Sequence, residues 1–103
     1  MKKRIVCTAA LLLFGLNTAA TAEDGETIYQ EAQPGCGVCH NTGTAGAPRV
    51  GAPDTWGERL DASIESLAET VLSGQGAMPG YEGRLSKEQA RAVVKWMVEE
   101  TRE

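Results

Sequence analysis

Two cysteines and the chain's single histidine fall within five consecutive positions, Cys36-Gly37-Val38-Cys39-His40. Two thiols and an imidazole so placed could form a disulfide, a redox pair, a metal site or an anchor for a macrocycle. A disulfide alone leaves His40 without a task. A thioredoxin-like pair needs a βαβ setting, and no strand-like alternation occurs in this sequence. Structural zinc takes four ligands, usually in two pairs, and iron–sulfur clusters take four thiolates. Beyond residue 22 the chain has no further cysteine or histidine to complete either set. What remains is covalent haem attachment, for which Cys-x-x-Cys-His is the signature. Two thiols at this spacing add to the haem's two vinyl groups as thioethers, and the histidine that follows is brought beneath the iron as proximal ligand. A zinc- or disulfide-stabilised adaptor without haem is the remaining non-haem alternative.

The ligand on the other face of the iron decides the chemistry. Histidine alone leaves an open position for gas or peroxide, whereas histidine with methionine closes the iron and raises its potential for electron transfer. Two methionines follow the motif. Met97 lies on an apolar helical stripe, where a core side chain is the ordinary explanation. Met78 lies in "SGQGAMPGYEG", a loop whose glycines let the backbone turn the thioether inward and whose Pro79 stiffens the approach. Met78 is therefore the expected second ligand; a loop methionine filling a gap is the alternative.

The elements that must position these residues read as helices. A first helix is expected over about 25–32, with Asp24 as N-cap and a stop at Pro34-Gly35. A short, weak helix is expected around 54–60. Ile64, Leu67, Ala68, Val71 and Leu72 mark a third, with Ser63 as cap and Gly74 as terminator. Ser86-x-x-Gln89 is a capping box opening a fourth helix, Leu85 and Ala90 are spaced as a hydrophobic staple, and Ala90, Val93, Val94, Met97 and Val98 form its apolar stripe.

Residues 1–22 read as an export signal: Lys2-Lys3-Arg4, an apolar run, then Ala20-Thr21-Ala22 before a cleavage point. An uncleaved anchor is the alternative. The domain is then 23–103, a size that commonly needs a bound group for stability. A haem would supply apolar surface worth roughly 25 cal/mol per Å² buried, so the apoprotein is expected to fold poorly. Loss of the signal removes three of the 10 basic residues and none of the 14 acidic ones, leaving a net charge of −7. Nucleic acid is an unsuitable partner for such a chain, and a basic protein surface a suitable one.

With Gly25, Tyr29, the motif, the "GAP" at 46–48, Trp56, Arg59, "GQGAMPG" at 74–80 and Trp96 in this order, the chain resembles class I c-type cytochromes, in particular the small bacterial cytochrome c5 group. The resemblance covers nearly all of 23–103, and it implies an all-α cytochrome c fold, with four to five short helices around one haem c bound through Cys36 and Cys39. It further implies His40 and Met78 as iron ligands, the Pro48 carbonyl as acceptor for His40, Gly25 and Tyr29 packed against the last helix near Trp96, and Trp56 or Arg59 near a haem propionate. Some members carry an extra cysteine pair near the methionine loop, which this chain lacks, so its stability leans more on the haem. The expected function is single-electron carriage in the periplasm between redox proteins, some of them membrane-bound, without enzymatic turnover. Contact with a membrane is expected only through such partners or an uncleaved signal. A five-coordinate peroxidase or gas-binding module, with Met78 unligated, is the alternative.

Overall fold

The computed structural model describes residues 24–103; the expected signal and its cleavage point lie outside them. Among the described residues there are five α-helices and two short 3₁₀ segments, with isolated bridges but no strand. The helices are α1 (Gly25–Glu31), α2 (Gly37–His40), α3 (Pro53–Trp56), α4 (Ile64–Ser73) and α5 (Lys87–Arg102), with 3₁₀ turns at Thr44–Gly46 and Gly57–Asp61. None of the described helices is long and apolar enough to cross a membrane.

The long helix α5 organises the core. Its capping box is complete: Ser86 Oγ accepts from the Gln89 amide at 3.0 Å, and the Ser86 amide donates to Gln89 Oε1 at 2.8 Å. Ala90, Val93, Val94, Met97 and Val98 are buried as a stripe, as the helical spacing predicts. Burying a side chain such as Val93 contributes on the order of 1.5–3 kcal/mol. Two helices cover this stripe. α4 brings Ala68 and Val71, capped by Ser63 Oγ on the Ser66 amide and ended by Gly74 at φ 85°. α1 brings Ile28 and Tyr29, with Asp24 accepting from the Thr27 amide at 2.9 Å.

The crossing of α1 over α5 depends on Gly25. A β-carbon there would stand 2.3 Å from the Ala92 carbonyl oxygen and 2.5 Å from Trp96 Cβ, so only glycine permits this approach. One turn on, the Tyr29 and Trp96 rings lie 4.9 Å apart, tilted at 49°, within the range of favourable aromatic pairs. Both contacts match the packing implied by the family resemblance.

Two segments differ from the sequence reading. The cysteine motif forms a helical turn of its own, α2, a segment to which the sequence reading assigned no helix. The weak helix expected around 54–60 is split: α3 stops at Trp56, Gly57 takes φ 55°, and the chain tightens into a 3₁₀ turn. A residue at positive φ cannot continue a right-handed α-helix, which gives the split its physical cause.

Candidate functional site

The turn α2 explains the motif's spacing. Residues i, i+3 and i+4 share one helical face, so the Cys36 and Cys39 thiols and the His40 imidazole project to the same side. That side opens on a cavity of about 610 Å³, a volume within the range of small-molecule and cofactor pockets. Cys36, Cys39, His40, Pro48, Trp56, Arg59 and Met78 all line this one cavity. Val71, Val93, Val94 and Met97 form an apolar part of its wall. Met97 is thus both core and cavity wall.

His40 is fixed through one ring nitrogen. Its Nδ1–H donates to the Pro48 carbonyl at 2.7 Å, while Nε2 has no hydrogen-bond partner among the described residues. The backbone supports this bond, because the Val50 amide donates to the His40 carbonyl at 3.0 Å and anchors the Pro48 segment beside α2. An imidazole held in this way presents Nε2 as a lone-pair donor, the arrangement seen in metal-ligating histidines.

Met78 approaches from a different kind of loop. Its amide and carbonyl both pair with Gln75, at 2.9 and 3.0 Å, and its side chain is half-buried. The loop is drawn tight by glycines. A β-carbon on Gly74 would lie 2.8 Å from the Gly80 nitrogen, and one on Gly80 would lie 2.7 Å from the Leu72 carbonyl oxygen.

Trp56 and Arg59, either of which the family resemblance puts near a propionate, are placed differently from each other. The Trp56 ring is buried in the wall, and its indole N–H already donates to the Arg49 carbonyl at 2.9 Å. Arg59 is exposed, lines the cavity, and its side chain has no hydrogen bond or ion pair among the described residues. It is also the one Lys, Arg, Asp or Glu in the lining, so the acidic charge of the domain is kept away from the cavity. At the rim, Val38 is 69 % exposed, an unusual placement for a large apolar side chain.

Tyr81 belongs to the site but was absent from the sequence reading. It is buried against the cavity, and its hydroxyl donates to the Pro34 carbonyl, holding the chain two residues before Cys36. Burial pushes the Tyr81 hydroxyl up to about 12, with the Cys36 thiol adding to the effect. Burial also raises the Cys36 thiol, partly offset by the nearby Tyr81 hydroxyl. On the other side of the motif, Tyr29 donates to Asn41 Oδ1 at 2.6 Å. The signal for Tyr81 was an aromatic residue directly after the methionine loop, in a stretch otherwise too polar and glycine-rich to read as core.

The donor set fits a haem: two thiols and an imidazole on one turn, a thioether in the same cavity, and an apolar wall behind them. Residues 20–97 match the family model described as "Cytochrome C oxidase, cbb3-type, subunit III". A cytochrome c-551 from Halorhodospira halophila is 42% identical over 76 residues, covering 73% of this chain and 96% of that protein. The solved structure of the reduced cytochrome c551 of Ectothiorhodospira halophila superposes with a TM-score of 0.69 at 41% identity, covering 75% of this chain and 99% of that one. A cytochrome in the "Crystal structure of electron transfer complex of nitrite reductase with cytochrome c" gives a TM-score of 0.66 at 37% identity, over 75% of this chain and 93% of that one. With motif, fold and relatives in agreement, the chain belongs to the class I c-type cytochromes, small all-α proteins that carry one covalent haem c and are not enzymes.

Proposed function

We propose that this cytochrome carries single electrons between redox proteins of the periplasm, including membrane-bound ones, with Cys36 and Cys39 as the thioether anchors and His40 and Met78 as the axial ligands. The haem, when bound, supplies a one-electron Fe(III)/Fe(II) couple. The chain does the rest. α2 presents both thiols and the imidazole on one face, the Pro48 carbonyl holds the Nδ1 proton so that Nε2 faces the cavity, and the Gln75–Met78 pairing sets the thioether. With His40 and Met78 both supplied by the chain to hold the iron, little would have to move when its charge changed. The single observation that carries the reading is one cavity lined by Cys36, Cys39, His40 and Met78 together.

Arg59 is the side chain placed to meet a propionate, and Trp56 acts as wall. Partners approach the uncharged rim at Val38 and Cys39, beside the buried Cys36. The similar cytochrome that is held in an electron transfer complex with nitrite reductase supports a redox protein as partner. Such encounters are small and brief, and the domain's acidity steers them at long range. Removal of the signal after Ala22 completes the periplasmic form.

The test is export from a host with haem-attachment machinery, followed by a visible spectrum in alkaline pyridine and in the native oxidised state. Haem that survives acid extraction, with the weak far-red band of a methionine sulfur on ferric haem, is the expected result. Haem without that band would point to a five-coordinate peroxidase or gas-binding protein instead.

A further inference from the structure

Thr101 is the one buried polar residue among those described, at 2% exposure near the end of α5. Its hydroxyl is used twice: it donates to the Met97 carbonyl at 2.8 Å and accepts from the Gly51 amide at 3.1 Å. The first bond is an ordinary helical back-bond. The second spans 50 positions of sequence and reaches the loop that carries Pro48.

That loop has little freedom elsewhere. The Arg49 amide donates to Thr55 Oγ1 at 2.8 Å, the Val50 amide to the His40 carbonyl at 3.0 Å, and the Ala52 amide to the Arg49 carbonyl at 3.0 Å. All of these partners lie within 15 residues of the loop itself. Among the described residues, Thr101 alone ties its backbone by a hydrogen bond to α5, the helix that also forms part of the apolar wall of the cavity. Gly51 stands at φ 90°, turning the chain so that its amide faces α5.

We infer that Thr101 is a positioning residue for the axial histidine: through Gly51 it sets how firmly the Pro48 carbonyl holds the His40 Nδ1 proton, and so tunes the haem potential. The inference rests on His40 being a haem ligand. A carbonyl on Nδ1–H makes the imidazole a stronger electron donor, which favours Fe(III) and lowers the potential. Without the hydroxyl the Gly51 amide loses its buried acceptor, the loop loosens, and the potential rises.

The experiment uses the haem-loaded protein and the variants Thr101→Val, which keeps the shape without the hydroxyl, and Thr101→Ser, which keeps the hydroxyl. Reduction potential and hydrogen exchange at the His40 Nδ1 proton and the Gly51 amide are measured by voltammetry and NMR. In Thr101→Val both protons are expected to exchange on the order of tenfold faster or more, and the potential to rise by up to a tenfold change in the ferric-to-ferrous ratio, about 59 mV for one electron. Thr101→Ser is expected to stay near the parent in both. Lower stability in Thr101→Val with unchanged His40 exchange and potential would overturn the inference, as would a serine variant that behaves like valine. Should Thr101→Val fail to fold, exchange in the unmutated protein decides: the two protons are expected to share one opening free energy, and independent opening would overturn the tether. Failure of the ligand reading is seen separately, as a parent spectrum without histidine-ligated haem.

Discussion

The two sides of the cavity are built on different principles. On the histidine side, a side-chain proton is held by the Pro48 carbonyl, and that carbonyl's loop is bonded through its amides to Thr55, His40 and Thr101. On the methionine side, the Met78 backbone pairs only with Gln75, and the loop's path is set by backbone-to-backbone contact at Gly74 and Gly80. Side-chain bonds join the backbone bonds on one side, whereas on the other only backbone pairs (the Tyr81 and Glu82 amides donating to the Val71 and Leu72 carbonyls at 3.0 Å) and steric closeness bound the loop. A thioether is a weak hydrogen-bond acceptor, so its position depends on the space its loop leaves. The histidine side should therefore yield gradually to substitution and the methionine side abruptly.

The largest effect is expected on the methionine side. Met78→Ala should abolish the far-red band, admit carbon monoxide in the ferrous state, and lower the potential on the order of tenths of a volt, within the roughly 0.8 V range that axial ligands span. Spectra and voltammetry check this; a variant with the parent's band and potential would remove Met78 as a ligand. Gly80→Ala comes next. Its methyl would meet the Leu72 and Ser73 carbonyl oxygens at 2.7 and 2.8 Å, and the resulting shift should cost about 1–3 kcal/mol, with a weakened far-red band, read by denaturant titration and absorbance.

On the histidine side, Trp56→Phe removes the N–H that donates to the Arg49 carbonyl. A loss of about 1 kcal/mol is expected, with the far-red band kept and haem retained. If this variant lost methionine ligation as readily as Gly80→Ala, the contrast between the sides would fail.

The smallest effect concerns alkaline pH and sits between the two sides. A tyrosine whose folded-state pKa is raised from 10.0 to about 12, as for Tyr81, contributes stability that is whole below pH 10 and is lost as the pH rises through about 12. Burial, the larger cause, persists when Cys36 is tied into a thioether, whereas the Cys36 charge does not. Tyr81→Phe should lower stability at neutral pH by about 1 kcal/mol through the lost bond to Pro34. Its stability should also fall less steeply than the parent's between pH 10 and 12, measured by unfolding titrations across that range.

The chemistry was more legible in the sequence than the framework around it. Cys36, Cys39, His40 and Met78 stand out in the sequence because few residue types could do the proposed work and each sits where no helical stripe explains it, and the structure gathers all four on one cavity. The caps at Ser63 and Ser86 were equally plain, since a cap is a local bond between near neighbours. α2 was not, because a four-residue turn carries too little pattern to show a period. Trp56 illustrates a different limit: the family resemblance suggested a donor for a propionate, but which acceptor an indole N–H finds depends on a backbone carbonyl seven residues away. Thr101 extends the α5 stripe one turn beyond Met97 and so offered a signal for burial. Its partner, 50 residues distant, had none.

The seat of Gly25 against Ala92 and Trp96 also orders events in time. A chain delivered amino end first presents α1 and then the thiols long before the surface that α1 packs on has arrived. Until residues 92–96 follow, α1 has nothing to pack on, and the segment from Cys36 to His40 lies between two ends that have not met. In a chain that folds as it emerges, the contact of α1 with α5 therefore closes last and fastens the two ends of the described fold together.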